Sequence, residues 1–435
     1  MRFHTRCGLL FVVVGLAASP VVQAQDSIPA PRAGASFWRA AAGVATVNLV
    51  TWGYNWYVQQ WPWANVGTQS WATNLRHGFV WDNDCFLDNQ LAHPYHGSLY
   101  HSSARAAGYR FWASLPFVAA GSATWELFGE NITASLNDLI NTTFGGLAMG
   151  EVTYRLSSLV GSKRGVGPNG VARELGAFAL SPMGRAQSLF RTDYSRDIVP
   201  PADQVSSLSF GRRSGHPFFQ LAVRYGSPFD AEATRPYDAF EFRLQVSPDP
   251  GGSIREVAIT GLLARKLVRE TARGTMALGV FQHYDYEHHS AFELGGQSLS
   301  GALLYQRRLG ERSRLQLGAH LEGVLLGAIS SDYGFEWRRD YDLGPGAGGR
   351  VTAAWERDGR DWLRVDGRLV WLHSLHGSEG DHVASLLRLA AAVPIAHPFG
   401  IGADFAFAAR HSRYPDLPSV TQRVPEMRAY VSWAP

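Results

Sequence analysis

The chain is 435 residues long with a formal net charge of +3, which gives no reason to expect nucleic acid as a partner. Glycine (46 residues) and aromatic side chains (12%) are abundant and charged residues make up only 18%. Those values fit a barrel buried in lipid and a soluble β-sandwich alike, so composition narrows the class without choosing within it.

Residues 1–24 read as a secretion signal. Arg2 and Arg6 form a positive start, Gly8 to Ala18 an apolar run, and Val22-Gln23-Ala24 the small-x-small pattern of a cleavage site. The run is shorter than the roughly 20 residues of a spanning helix. Cys7 precedes it, which argues against a lipid-anchored N-terminus. With cleavage before Gln25, Cys85 is the one cysteine left, so no internal disulfide is expected.

Residues 25–160 form the second unit, a helical domain. From Phe37 to about Val160 apolar residues recur at helical spacing without strand-like alternation. The apolar stretches Phe37 to Tyr57 and Tyr109 to Phe128 are interrupted by Arg39, Asn48, Asn55, Arg110 and Glu126, so they read as buried or interfacial helices.

Three clusters in this domain carry chemistry. In Asp88-Asn89-Gln90-Leu91-Ala92-His93-Pro94-Tyr95-His96-Gly97, Pro94 suits a first helical turn, setting His93 and His96 one turn apart. Such a pair can chelate a metal, share one substrate, or sit hydrogen-bonded in a core. In Trp125-Glu126-Leu127-Phe128-Gly129-Glu130 the glutamates are four apart, on one helix face. Glu126 lies among apolar residues, where an ionised carboxylate needs a partner, and the histidines are candidates. The third cluster runs from Ser135 to Glu151. Ser135 and Asp138 have capping-box spacing, which by itself could account for Asp138. Asp138, Asn141 and Gly145 share a face, and Gly146 with Gly150 makes a small-xxx-small stripe for close helix approach.

Residues 161–205 read as a linker, with one more helix expected over Val171 to Phe190. Residues 206–435 alternate with period two, as in Phe240-Glu241-Phe242-Arg243-Leu244-Gln245-Val246 and Leu363-Arg364-Val365-Asp366-Gly367-Arg368-Leu369. The segments number about twelve and are long enough to cross a bilayer when tilted. Short links such as 309–312 and 357–360 alternate with longer ones such as 331–345, 374–381 and 411–419, the pattern of periplasmic turns and extracellular loops. Inward positions carry Glu241, Arg243, Glu256, Glu322, Arg364, Asp366, Arg368, Arg388 and Asp404. They make either a lumen braced by ion pairs or a charged solute path.

The three helical clusters, in this order, closely resemble a bacterial family known as domain of unknown function 3943, over roughly Asp82 to Ser157. The strings that carry the likeness are Asn89-Gln90 through His93-Pro94-Tyr95-His96-Gly97, then Trp125-Glu126 with Phe128-Gly129-Glu130, then Asn137 to Thr142 with Gly145-Gly146. The resemblance implies an envelope protein and supplies no activity. A sparser likeness to VanZ-like helical envelope domains falls on Asp88, His93 or His96, Glu126, Asp138, Asn141 and Gly145.

The fold class expected is α+β: an N-terminal helical domain, then an antiparallel transmembrane β-barrel of about twelve strands, in the bacterial outer membrane. The helices are expected on the periplasmic side or within the barrel. His93, His96, Glu126, Glu130, Asp138 and Asn141 would line a polar pocket acting on envelope lipid or cell-wall groups, with a His as base or nucleophile. The rival is a channel or structural barrel with the helices as plug or platform. The partners expected are outer-membrane lipid and, during biogenesis, the barrel assembly machinery; the sequence specifies no cofactor, metal or oligomeric state.

Overall fold

A computed structural model describes residues 34–161, 168–188, 204–249, 252–333 and 340–434. The expected signal segment lies outside the described residues. The helical part comprises α1 (Phe37–Gly53), α2 (Thr68–His77), α3 (His93–Ala106), α4 (Phe111–Phe128), α5 (Leu136–Ile140), α6 (Gly146–Gly161), α7 (Pro168–Leu180) and α8 (Pro182–Ser188). The stretch read as a linker with one helix thus holds two, α7 and α8, because Ser181 and Pro182 break the run between them. Among the described residues no helix is long and apolar enough to cross a membrane.

Twelve strands follow: β1 (Gln204–Arg213), β2 (His216–Tyr225), β3 (Phe240–Asp249), β4 (Gly252–Thr271), β5 (Gly274–His288), β6 (Glu293–Arg308), β7 (Ser313–Ser330), β8 (Tyr341–Arg357), β9 (Arg360–His373), β10 (Asp381–Ala396), β11 (Phe399–Arg413) and β12 (Val420–Trp433). Each pairs antiparallel with its neighbour, and β1 closes on β12. Closure leaves no unpaired edge, the condition for a sheet to sit in lipid. The tight hairpins use the residues such turns demand: Asp358 and Gly359 both take positive φ (52° and 74°) between β8 and β9.

The turns at one end are short (272–273, 309–312, 358–359 and 397–398), as the sequence pattern predicts. The exception is residues 226–239 between β2 and β3, which is long because it packs on the helices: Arg155 of α6 donates to Asp238 Oδ1 (3.3 Å) and the Pro236 carbonyl (2.9 Å).

The inward charges form a braced lattice. Arg364 pairs with Glu241 (2.8 Å) and Asp366 (2.9 Å), Arg388 with Glu256 (3.1 Å), and Arg368 with Asp285 (3.1 Å) and Glu287 (3.3 Å). Arg350 bridges Asp285 and Glu322, and Arg428 meets Asp404 at 3.6 Å. Of the two readings of these charges, the ion-pair brace is what the geometry contains. A cavity of about 500 Å³ remains between them.

Strand parity locates the helices. Along β5, Phe281, His283 and Glu287 line the lumen, while Leu278 and Val280 are exposed on the opposite face. Gln282, Tyr284 and Tyr286 share the outward parity yet are buried. The helical domain covers them: Gln282 Nε2 donates to the Phe144 carbonyl (2.9 Å), Tyr284 Oη to the Gln90 carbonyl (2.6 Å), and Phe86 packs on Tyr286 and Tyr341. On β6, outward Gln297 donates to Asn141 Oδ1 (3.3 Å). The helices therefore stand against the outer face of the wall, which corrects the expectation of helices within the barrel and the rival's helical plug. The physical reason is that the lumen is lined by charged pairs, whereas the outer faces of β2 to β8 offer an apolar bed of Leu221, Val223, Phe242, Val257, Ile259 and Leu343.

Candidate functional site

The helical domain is organised by two wide turns. Residues Asp88–Ala92 form a π turn running into α3, and Asn141–Gly145 form another between α5 and α6. The first explains why Pro94 is tolerated after the helix has begun, since a π turn relaxes the local hydrogen-bond ladder that proline interrupts. The two segments touch: an added Cβ at Gly97 would lie 1.9 Å from the Thr142 carbonyl oxygen, and one at Gly150 would lie 2.7 Å from His101 Cβ. The stripe of small residues thus brings α3 and α6 close enough for their polar side chains to meet.

Ser135 caps α5, its Oγ accepting from the Asp138 N–H (3.1 Å). The reciprocal half of a capping box is absent, because the Ser135 N–H donates to Glu126 Oε2 instead (2.9 Å). The Asp138 carboxyl is thereby released toward His93, whose Nε2 lies 3.4 Å from Asp138 Oδ2. His93 Nδ1 faces Thr142 Oγ1 at 3.3 Å. Asp84, from the segment before α3, completes a group in which His93, Asp138 and Asp84 each bring one ligand atom within 4.8 Å of the others.

Around this group runs a ladder of amides. Asn137 Nδ2 donates to Asp82 Oδ1 (2.7 Å) and Asn89 Oδ1 (2.8 Å), and Asn141 Nδ2 also donates to Asn89 Oδ1 (3.0 Å). Asn141 thus links this ladder to the barrel through Gln297.

Three expectations are corrected. The histidines do not converge on one ligand: His96 Nε2 pairs with Tyr100 Oη (3.0 Å) and its ring packs edge-on to Trp125, 5.0 Å away. One turn of helix turns His96 toward that aromatic wall and His93 toward Asp138. Nor is a histidine the partner of Glu126, whose carboxylate takes the Ser135 backbone N–H. Glu130 does not continue the helix face of Glu126, since α4 stops at Phe128. It accepts from Trp125 Nε1 at 2.8 Å.

Burial governs the proton affinities. It holds His93 and His96 below the ordinary imidazole value, His96 at about 3. It raises Glu126 and Asp138 well above the carboxylate range and Glu130 to about 8, with neighbouring carboxylates adding to each. Burial also works to raise Asp82, but hydrogen bonds from Asp138 and Asn137 prevail and hold it at about 2. The two neighbouring carboxyls are thus pushed apart, Asp82 downward and Asp138 upward.

Asp82 and Asp84 were not singled out from the sequence. The signal was present in Asp82-Asn83-Asp84, two carboxylates flanking an exposed residue just before a helix start. A second buried cluster, also unpredicted, links α3 to α6: Glu151 pairs with His101 (2.9 Å), Arg105 (2.8 Å) and Arg155 (2.8 Å). Its opposite charges attract one another between α3 and α6, the two helices that also pack at Gly150.

The barrel half is similar to solved outer-membrane proteins at low identity. The NanC porin is 8% identical, with 52% of this chain and 98% of that one covered and a TM-score of 0.26. The outer membrane channel DcaP of Acinetobacter baumannii is 7% identical, with coverages of 53% and 96% and a TM-score of 0.21. The toluene transporter TodX of Pseudomonas putida is 8% identical, with coverages of 57% and 92% and a TM-score of 0.22. No curated protein matches the chain. Residues 78–183, which contain the whole polar cluster from Asp82 to Glu151, match the model of a family described as Domain of unknown function (DUF3943).

Proposed function

We propose that this is an outer-membrane barrel whose helical domain, seated beside the wall at the lipid, performs hydrolysis or transfer on a phosphate or acyl ester of an envelope lipid. The observation that carries the reading is the convergence of Asp84, His93 and Asp138 in the helical domain, at a site reached past the exposed Asn83 and partly exposed Asp84. Two further features support it. The barrel's uncovered outer face is apolar, with Leu278, Leu303, Leu321, Val351, Leu369 and Leu387 exposed, as a lipid-facing belt requires. The helical domain exposes its own apolar surface at Trp38, Leu49, Val50, Tyr57, Val58 and Trp112, a pattern that suits contact with the acyl-chain boundary.

In this reading the Asp84, His93 and Asp138 group activates a water or a substrate hydroxyl. Glu130, protonated at neutral pH and partly exposed, supplies a proton to the leaving oxygen. The short turns and both barrel termini face the periplasm, and assembly follows the barrel assembly machinery.

The test is incubation of the purified full-length protein, in mixed micelles, with outer-membrane phospholipid and lipopolysaccharide, followed by mass spectrometry of the lipids. A new deacylated or dephosphorylated product is expected, reduced at least ~100-fold by His93→Gln and by Asp138→Asn. Heat-dependent gel mobility checks that each variant still holds a folded barrel. Lipids left unchanged by the wild type, or altered equally by both variants, would overturn the reading.

A further inference from the structure

We infer that Asp84, His93 and Asp138 bind one divalent transition-metal cation, zinc or manganese, in the helical domain. The inference rests on the reading that this group is the domain's working centre, and it deepens that reading by naming what the group holds.

The three residues come from three separate elements: the segment before α3, the first residue of α3, and α5. Their ligand atoms nonetheless lie within 4.8 Å of one another. Metal–ligand bonds of roughly 2.0–2.2 Å set neighbouring ligand atoms about 3–4 Å apart, so the group needs only a small contraction to close on an ion. The 3.4 Å between His93 Nε2 and Asp138 Oδ2 already lies in that interval.

Three further observations point to a cation. First, Asp138 has the carboxyl groups of Asp82, Glu126 and Asp84 around it, a set of oxygen donors of the kind a cation recruits. Second, Glu126 is 2% exposed, and its Oε1 makes no hydrogen bond in the described structure. Its other oxygen is held by the N–H of Ser135, the residue whose side chain caps Asp138, which ties Glu126 to the segment that carries Asp138. A buried carboxylate oxygen without a partner is costly, and a cation or the water it carries would satisfy it. Third, the surrounding contacts are those of a metal centre's outer shell. Thr142 holds His93 by Nδ1 and leaves Nε2 toward the carboxylates, while Asn137 and Asn89 clamp Asp82.

The donor set selects the kind of ion. An imidazole beside carboxylates suits zinc or manganese, whereas calcium and magnesium favour oxygen donors throughout. Three protein ligands would leave at least one position for water or a substrate oxygen, as a catalytic centre requires.

The test uses the full-length protein in detergent, stripped with a chelator and dialysed, then titrated calorimetrically with ZnCl2, MnCl2 and MgCl2. One equivalent of Zn²⁺ or Mn²⁺ per chain is expected, bound more tightly than Mg²⁺. Asp84→Asn and His93→Gln should each weaken it by ~10-fold or more. Asp84 is partly exposed, so its variant keeps the fold even where a buried substitution at Asp138 does not. Binding well below one equivalent, or binding unchanged in both variants, would overturn the inference. The two readings separate cleanly. Lipid turnover by a wild type that takes up no ion in the calorimeter sinks the cation and leaves the activity. One bound ion lost in both variants, with no lipid turned over, upholds the site and removes the activity.

Discussion

Glu130 shows how one side chain's setting decides its role. Its carboxyl is raised to about 8 by burial first and by the nearby Asp84 second. An unfolded Glu ionises near about 4.3, so the folded protein holds a proton that the unfolded chain releases. The contribution is therefore fully present below about pH 4.3 and is lost as pH rises through 8. Glu130→Gln removes that dependence. The variant should melt at the same temperature as wild type at pH 4 and a few degrees higher at pH 9, read by circular dichroism at both values. Equal melting at both pH values would show that Glu130 is ionised in the fold. Glu151 has the opposite sign: Arg105, Arg155 and His101 outweigh burial and hold it well below the carboxylate range. Its stabilisation is present above the ordinary value and lost as pH falls.

At the level of elements, the crossing of α3 with the turn before α6 sets the geometry of the site. Gly97 is the contact point, and the atom a methyl group would strike is a backbone carbonyl, which cannot swing aside. Gly97→Ala should cost ~3 kcal/mol or more in the helical domain, by overpacking at a backbone contact. Hydrogen exchange should show α3 and α6 losing protection while the strands keep theirs. Gly301→Ala is the control: it lies on the exposed face of β6 with nothing within 4 Å, and it should leave protection unchanged. Loss of protection in both variants, or in neither, would mean that the crossing is not what holds the site.

Across the whole molecule, the braced lumen and the covered wall divide the work. Arg350 on β8 bridges two inward carboxylates, Asp285 on β5 and Glu322 on the adjacent β7. Among the described residues, Arg350→Ala leaves Glu322 without an ion-pair partner and Asp285 with Arg368 alone, which should destabilise the barrel by about 3 kcal/mol, measured by urea-dependent loss of compact gel mobility. It should also raise the ionic current through the protein in planar bilayers, where the wild type should conduct weakly. Large steady currents through the wild type would favour the channel reading of the lumen charges.

The sequence by itself determined the order of the chain: helices first, then about twelve alternating strands, with Glu241, Arg364 and Arg388 turned inward. Period-two alternation is local, so it is legible without knowing what the strand meets. It also marked His93, Glu126, Asp138 and Asn141, because polar groups in apolar helices need partners wherever the helix goes. Which partners they find is a different matter. The sequence could not say that His96 turns to Tyr100 while His93 turns to Asp138, or that Asp84 joins them. Those choices depend on two π turns and on glycine contacts between segments some fifty residues apart. Nor could it place the helices against the outer wall, although Gln282 and Gln297 hinted at it. Both share the outward parity of exposed leucines, and an amide facing lipid is tolerable only when something polar covers it. Alternation told which face each residue was on, but only the assembled fold decided that one part of the outer face meets the helical domain instead of solvent or lipid.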